Sequence, residues 1–270
     1  MRPSPAVLDA FGADGPLERL RGGHATVWRA GGVVVKRCDV APAELDWLGT
    51  IPGHLRDTAR LRLALPRRTA DGRLEVEGWI AYPFLPGEPH PDRWADVATA
   101  TVDFAGALAS MDRPAFLDDR THAWARADRF AWEEDGDPVL LDDPRLRPLV
   151  EARRPVHAPS TLVHGDPTGN VLFFDGRPPA IIDPTVYWRP VPFSVAVVAV
   201  DAVSFHHAPI SLFRTLSDEA DFVQCAVRAL IFRLATEILI GGGASGSCDR
   251  ATEEVLRLAS ARARPSAEPT

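Results

Sequence analysis

Cysteine is scarce. The three present, Cys38, Cys225 and Cys248, lie far apart and form no C-x-x-C pair, which excludes a disulfide framework and a structural zinc knot and fits reduced thiols inside a cell. A basic surplus is missing as well: Lys plus Arg number 30 against 37 Asp plus Glu, a net charge of -7. General nucleic-acid binding wants a basic face to neutralise phosphates, so that class is excluded. A phosphorylated small ligand is not, because a local site can invert the overall sign. No apolar run reaches membrane length; the greasiest, 193–203, covers about half a bilayer span and reads as a buried helix or strand. The opening Met-Arg-Pro-Ser-Pro has no apolar core of signal length. The expectation is a cytoplasmic protein, monomer or homodimer, with neither membrane nor nucleic acid as partner. Hydrophobic residues make up 46%, enough for a core, so a disordered chain is excluded too.

Along the 270 residues the texture changes once. A short helix is expected at 7–11, and strand runs 25–30 and 33–37 face each other across Gly31-Gly32, a favourable hairpin turn. Pro42 opens a helix to Leu48, since a first turn has no use for the N–H that proline lacks. Runs 61–65 and 74–82 read as a second hairpin across Asp71-Gly72. After the stiff stretch Pro83-Phe84-Leu85-Pro86-Gly87 the chain turns mostly helical: 94–111 has helical periodicity, 118–132 follows, and 133–160 reads as irregular, broken by prolines. A strand–loop–strand unit comes next, with strands at 161–164, 171–174 and 180–182. A long helix at 218–240, a loop at 241–247 and a last helix at 250–263 complete the reading, with His206-His207 on a helix face.

The dense polar cluster is His164-Gly165-Asp166-Pro167-Thr168-Gly169-Asn170, closed by Asp183 across a hairpin. Its flanking strands are nearly pure Val, Ile, Leu and Phe, and a loop there holds such groups only if they are paired or face a cleft. Asp and Asn oxygens are hard ligands suited to magnesium, which keeps several waters and shares substrate phosphates. A capped turn explains Asp166 and Thr168 but not Asp183, at the end of a buried strand. Zinc hydrolysis has no H-E-x-x-H and no second histidine at ligand spacing. Upstream, residues 21–29 carry Gly22 and Gly23 at a strand turn, where backbone amides can approach phosphate. Lys36 follows three valines and either snorkels to solvent or meets a charged partner. The glycines there spell neither a P-loop nor a dinucleotide fingerprint.

These residues carry a resemblance. The arrangement resembles the aminoglycoside phosphotransferase and choline kinase-like branch of the protein-kinase-like fold, over residues 20–260. The resemblance implies an α+β, two-lobed fold: a small antiparallel-sheet, nucleotide-binding lobe over 1–86 and a mostly helical lobe over 87–270. It implies Asp166 as catalytic base, Asn170 and Asp183 as metal ligands, and His164 as a support of the loop. Gly22 and Gly23 would cover the phosphates, Lys36 would hold them, and Phe84 and Leu85 would flank the adenine at the hinge between the lobes, where ATP sits. Glu44 is the best partner acid for Lys36, with Asp46 and Glu18 in competition. Residues 79–87 and 187–190 are similar to an actinobacterial group within that branch, a likeness that brings no substrate. Two departures stand out: the helix acid is unclear, and only three residues separate Asp166 from Asn170 where the family has four, a shortfall of about 3 Å that a tight turn at Gly169 could absorb.

The expected activity is ATP- and magnesium-dependent transfer of a γ-phosphoryl group to a hydroxyl of a small molecule, sugar-like or cationic. Trp188, Arg189, Asp201 and Glu237 are the acceptor-side candidates, although each has a plain structural reading as core, cap or surface. The alternative is a nucleotide-binding pseudokinase, which the short loop favours and the joint retention of Lys36, Asp166, Asn170 and Asp183 opposes.

Overall fold

Three successive valines, Val33 to Val35, favour extended backbone because β-branched side chains pack well on a pleated surface. In the computed structural model, which describes residues 1–20, 27–55, 58–216, 221–242 and 246–263, they form the central strand of a sheet. In chain order the elements are α1 (Pro5–Ala10), β1 (Leu17–Arg19), β2 (Val27–Ala30), β3 (Val33–Arg37), α2 (Pro42–Leu48), β4 (Arg62–Leu63), β5 (Glu75–Val76) and β6 (Trp79–Pro83). Strands β1-β2-β3-β6-β5 make one antiparallel sheet. The turn between β2 and β3 needs glycine twice over: Gly31 has φ +55°, and a Cβ there would lie 2.3 Å from the carbonyl oxygen of Asp14.

Strand alternation sorts the side chains of this sheet. Val33, Val35, Trp79 and Ala81 form one core with Val7 of α1 and Phe11 just after it. Ile80 and Tyr82 belong to a second, with Leu45 of α2. Lys36 pairs across the ladder with Ile80, so its side chain emerges on the second face, which is why a lysine there is buried.

One expected pairing is overturned. Residues 61–65 do not form a hairpin with 74–82: β4 runs parallel to β9 (Arg177–Ile181), through Arg62↔Ala180 and Leu63↔Ile181. Within 74–82 a tight turn at Glu77-Gly78, with φ +52° and +75°, divides the run into β5 and β6, which pair with each other. Apolar patterning marks both segments as strands but carries no information on which distant strand completes the ladder.

The remaining elements are α3 (Trp94–Ala107), α4 (Phe116–Asp119), α5 (Ala123–Ala131), α6 (Pro138–Leu141), α7 (Arg147–Ala152), β7 (Ser160–His164), β8 (Val171–Phe174), β9, β10 (Val186–Pro190), α8 (Val191–Phe205), α9 (Leu212–Leu216), α10 (Phe222–Leu239) and α11 (Asp249–Ala263). Of the prolines read as breakers in 133–160, Pro138 instead opens α6, and Pro148 sits in the first turn of α7; Pro144, Pro155 and Pro159 lie outside the helices. His206 caps α8 and His207 takes φ +58°, so the pair ends that helix rather than lying on its face.

Packing divides the chain into two units, and the cut is not a single one at residue 86. The first comprises Met1–His90, Gly106–Phe116 and Gly169–Pro184; the second comprises Pro91–Ala105, Leu117–Thr168 and Thr185–Thr270. The β8–β9 hairpin joins the first unit through β4 and through Glu88, whose N–H and C=O both bond Phe173. Arg62 adds bonds to the carbonyls of Pro178 and Pro86.

In the second unit β7 and β10 form an antiparallel ribbon. α8 is buried on every side from Pro192 to Ser204, as an all-round apolar helix must be, and packs with α5 against α10. Among the described residues no helix is long and apolar enough to cross a membrane.

Candidate functional site

Lys36 stands on a strand whose neighbours exclude water, and it is only 8% exposed. Its ammonium lies 2.7 Å from Asp183 Oδ1 and 3.2 Å from Asp39 Oδ1, over the ring of Tyr82. Burial alone would pull the pKa of the ammonium down; the carboxylate of Asp183, with Tyr82 and Asp39, outweighs that and pushes it above its ordinary value. Lys36 therefore stays charged at neutral pH. Burial likewise pushes the Tyr82 phenol up, against the pull of the ammonium.

Asp183 follows β9 in the left-handed region, φ +48°, a conformation aspartate tolerates better than most residues. Its side chain keeps 57% of its surface exposed. Just before the neighbouring strand β8, the carbonyl of Asn170 accepts the N–H of Ile182. The hairpin thus brings Asn170 beside the residue before Asp183. Gly169, at φ +83° in the turn 168–170, makes the tight bend that a short loop requires. A carboxylate and an amide oxygen form the hard, sparse donor set that magnesium takes, the rest of its shell being water and phosphate.

Asp166 belongs to the second unit. It follows β7 and is held at both ends. Its N–H donates to Nδ1 of His164 at 3.0 Å, and an accepting Nδ1 carries no proton. His164 is wholly buried against Phe104, and its carbonyl accepts from Ser194 Oγ at 2.6 Å. These bonds tie the start of the loop to β7 and α8. The carboxylate of Asp166 meets Nη2 of Arg233 at 2.8 Å. Gly165 between them leaves no room for a side chain: a Cβ would lie 2.2 Å from the ring of Tyr187, which is buried. Gly165→Ala should cost about 1–3 kcal/mol, the usual penalty for overpacking, and lower the urea midpoint; an unchanged midpoint would show that Tyr187 gives way freely.

The other expected residues fall as follows. Gly22 and Gly23 lie outside the described residues. Glu44 is buried on α2, while the carboxylates seen at Lys36 are Asp183 and Asp39. The N–H of Phe84 bonds the carbonyl of Gly32, and its ring lies under the guanidinium of Arg29; Leu85 packs on the Ile80–Tyr82 core. Arg189 is spent on Asp128 and Glu134 and stacks on Trp132, which makes it a structural ion pair, and Trp188 is its half-buried neighbour on β10. Asp201 pairs with Arg233, and Glu237 with Arg145.

Sequence reasoning missed Asp39 and Arg233. It also passed over a compositional signal: Lys36 is the chain's only lysine and Asn170 its only asparagine. Every other member of the 30 Lys plus Arg is arginine, so cationic surface here is made with guanidinium. A compact ammonium kept at one buried point marks a position where the planar fork will not serve.

The model of the phosphotransferase enzyme family (APH) matches residues 17–185. No curated protein matches the sequence significantly. Among solved structures, an aminoglycoside phosphotransferase from Alicyclobacillus acidocaldarius is similar at TM-score 0.59 and 16% identity, over 97% of this chain and 95% of that one. A thermostable mutant of aminoglycoside phosphotransferase APH(4)-Ia, in a ternary complex with AMP-PNP and hygromycin B, gives 0.60 and 16%, over 96% and 98%. Spectinomycin phosphotransferase APH(9)-Ia, in complex with ADP and spectinomycin, gives 0.56 and 13%, over 96% and 93%. At these identities the likeness shows the fold: the kinase-like architecture of an antiparallel-sheet lobe and a helical lobe.

Proposed function

The chain belongs to the phosphotransferase enzyme family and is a small-molecule kinase, and from that premise we propose that it transfers the γ-phosphoryl group of ATP to a hydroxyl of its acceptor, with Asp166 as base. The observation that carries this reading is the pairing of the buried Lys36 with the half-exposed Asp183, 2.7 Å apart, on the same unit as Asn170. The ammonium supplies a fixed positive charge for phosphate oxygens. Asn170 and Asp183 supply oxygen donors for magnesium, whose chemistry there is neutralisation of phosphate charge.

The protein's own part is small. Asp166 accepts the proton as the acceptor's O–H bond breaks. The freed electron pair of that oxygen forms the new bond to the γ-phosphorus, and the bond to the β,γ-bridging oxygen breaks with its electrons leaving on ADP. The neighbours in complex with hygromycin B and spectinomycin support a polyhydroxylated, sugar-like acceptor. A cationic acceptor draws no support from Asp201 and Glu237, whose charges already face arginines.

The test is a screen of small alcohols, amino sugars and nucleosides for an ATP-dependent mass gain of one phosphoryl group. One hit establishes the activity; ATP binding with no gain and no ADP release supports the pseudokinase instead. Lys36→Ala should weaken ATP binding by about 1.5–3 kcal/mol, the worth of a charge-assisted bond, or roughly 10- to 150-fold in Kd. An unchanged Kd in a folded variant would remove Lys36 from the site.

A further inference from the structure

Two charged residues on neighbouring helices sit among apolar side chains. Asp201 stands in α8 among Val200, Ala202 and Val203, all buried, and is itself 3% exposed. Arg233 stands in α10 between Phe232 and Leu234, which are buried too. Burying ions is costly unless each finds a partner and its hydrogen bonds are met. Here they find each other through a fork: Nε donates to Oδ1 of Asp201 at 2.7 Å and Nη2 to Oδ2 at 2.5 Å. Burial alone would lower the pKa of Arg233, but Asp201 and then Asp166 hold it above its ordinary value.

The pair is complete without a third member. Yet Nη2 also reaches Oδ1 of Asp166 at 2.8 Å, and Asp166, unlike Asp201, has 49% of its side chain exposed. A half-exposed aspartate on a loop ordinarily samples several rotamers. This one is pinned from behind by a guanidinium that is itself fixed by a buried carboxylate, while the N–H of the same residue is pinned by His164. A base oriented by a second group, and that group by a third, is the arrangement used to hold a proton acceptor in reacting geometry.

We propose that Arg233, locked by Asp201, is a positioning residue for the catalytic base, setting the orientation in which the Asp166 carboxylate meets the acceptor hydroxyl. The proposal rests on the kinase reading above and adds to it two residues that bond each other and, through Arg233, the carboxylate of Asp166. Its signature is a loss of turnover with no loss of nucleotide affinity, because the clamp acts on the base alone.

The experiment uses the full chain with magnesium-ATP, reading ADP release with water as the acceptor. Arg233→Lys keeps the buried positive charge and loses the fork. It should lower kcat by about 10- to 100-fold, as small misplacements of a catalytic group do, with KM for ATP within about twofold and the melting temperature nearly unchanged. Should Arg233→Lys fail to fold, the double variant Asp201→Asn/Arg233→Gln replaces the buried ion pair with neutral amides and should show the same split. A folded variant with kcat near the wild-type value overturns the proposal, as does one whose kcat and KM decline only in step with melting temperature. Wild-type protein that releases no ADP and phosphorylates nothing in the screen overturns the kinase reading itself, and the proposal with it. Active wild type with an unaffected clamp variant overturns the proposal alone.

Discussion

Asp166→Asn should lower turnover by about 100-fold or more, the usual worth of a general base, while leaving affinity for magnesium-ATP within about threefold. The variant is a clean one in this structure. An asparagine oxygen can still accept from Nη2 of Arg233, and Asp201 still balances the arginine's charge, so the buried pair keeps its compensation and the fold its stability. What is lost is the carboxylate proposed to take the acceptor's proton. Steady-state kinetics and ATP titration on the same preparation check both halves. Turnover surviving within threefold would show that Asp166 is not the base; a collapse in nucleotide affinity would recast it as a ligand.

Asp183→Asn should abolish magnesium-dependent ATP binding, whereas Asn170→Ala should leave a measurable remnant. Both positions belong to the β8–β9 hairpin, but they offer different donors. Asp183 gives a charged carboxylate from the end of a buried strand, in a left-handed conformation that asparagine also accepts, so its substitution removes charge without straining the backbone. Asn170 gives a neutral oxygen from the far side of a turn shortened to three residues. Magnesium holds oxygens at about 2.0–2.1 Å in near-octahedral order and readily interposes water where a donor falls short. Calorimetry with ATP, in magnesium and then in chelator, separates the two. The expected pattern is loss of the magnesium-dependent component in Asp183→Asn and its partial retention in Asn170→Ala. Equal losses would place the two ligands on the same footing and remove the effect assigned to the short loop.

Local chemistry carried much of this in the sequence. The Gly31-Gly32 turn, the helix opened by Pro42, strand β8 and the polar cluster after β7 are each written in adjacent residues, and the chain folds them as written. What stayed hidden was long-range. Nothing near Arg62 announces Ala180 as its ladder partner, and a run such as 74–82 conceals its turn until Glu77 and Gly78 are seen with positive φ. β10 escaped because its partner β7 lies beyond an intervening hairpin. In the site, Asp183 meets Lys36 and the carbonyl of Asn170 bonds Ile182, while Asp166, named from the same loop, meets Arg233. Asp39 was missed because it lies past the strand end, where a count of strand residues stops. Arg233 and Asp201 did leave a trace, a charge of each sign flanked by apolar residues on two helices, and opposite charges so placed tend to meet.

The parallel ladder between β4 and β9 has a consequence for biosynthesis. The first unit is assembled from three separate stretches of chain, and the bond from Arg62 to the carbonyl of Pro178 spans 116 residues. At translation speeds of about 5–20 residues per second, the ribosome delivers the second partner roughly 6–20 s after the first. During that interval the edge of β4 and the apolar surface awaiting Ile181 and Ile182 have no native cover. The nascent sheet must therefore wait, with chaperones or with its own marginal stability, until α3 to α7 and β7 have been made. Premature release of a truncated chain ending before residue 171 should yield a product prone to aggregation rather than a smaller folded nucleotide-binding fragment.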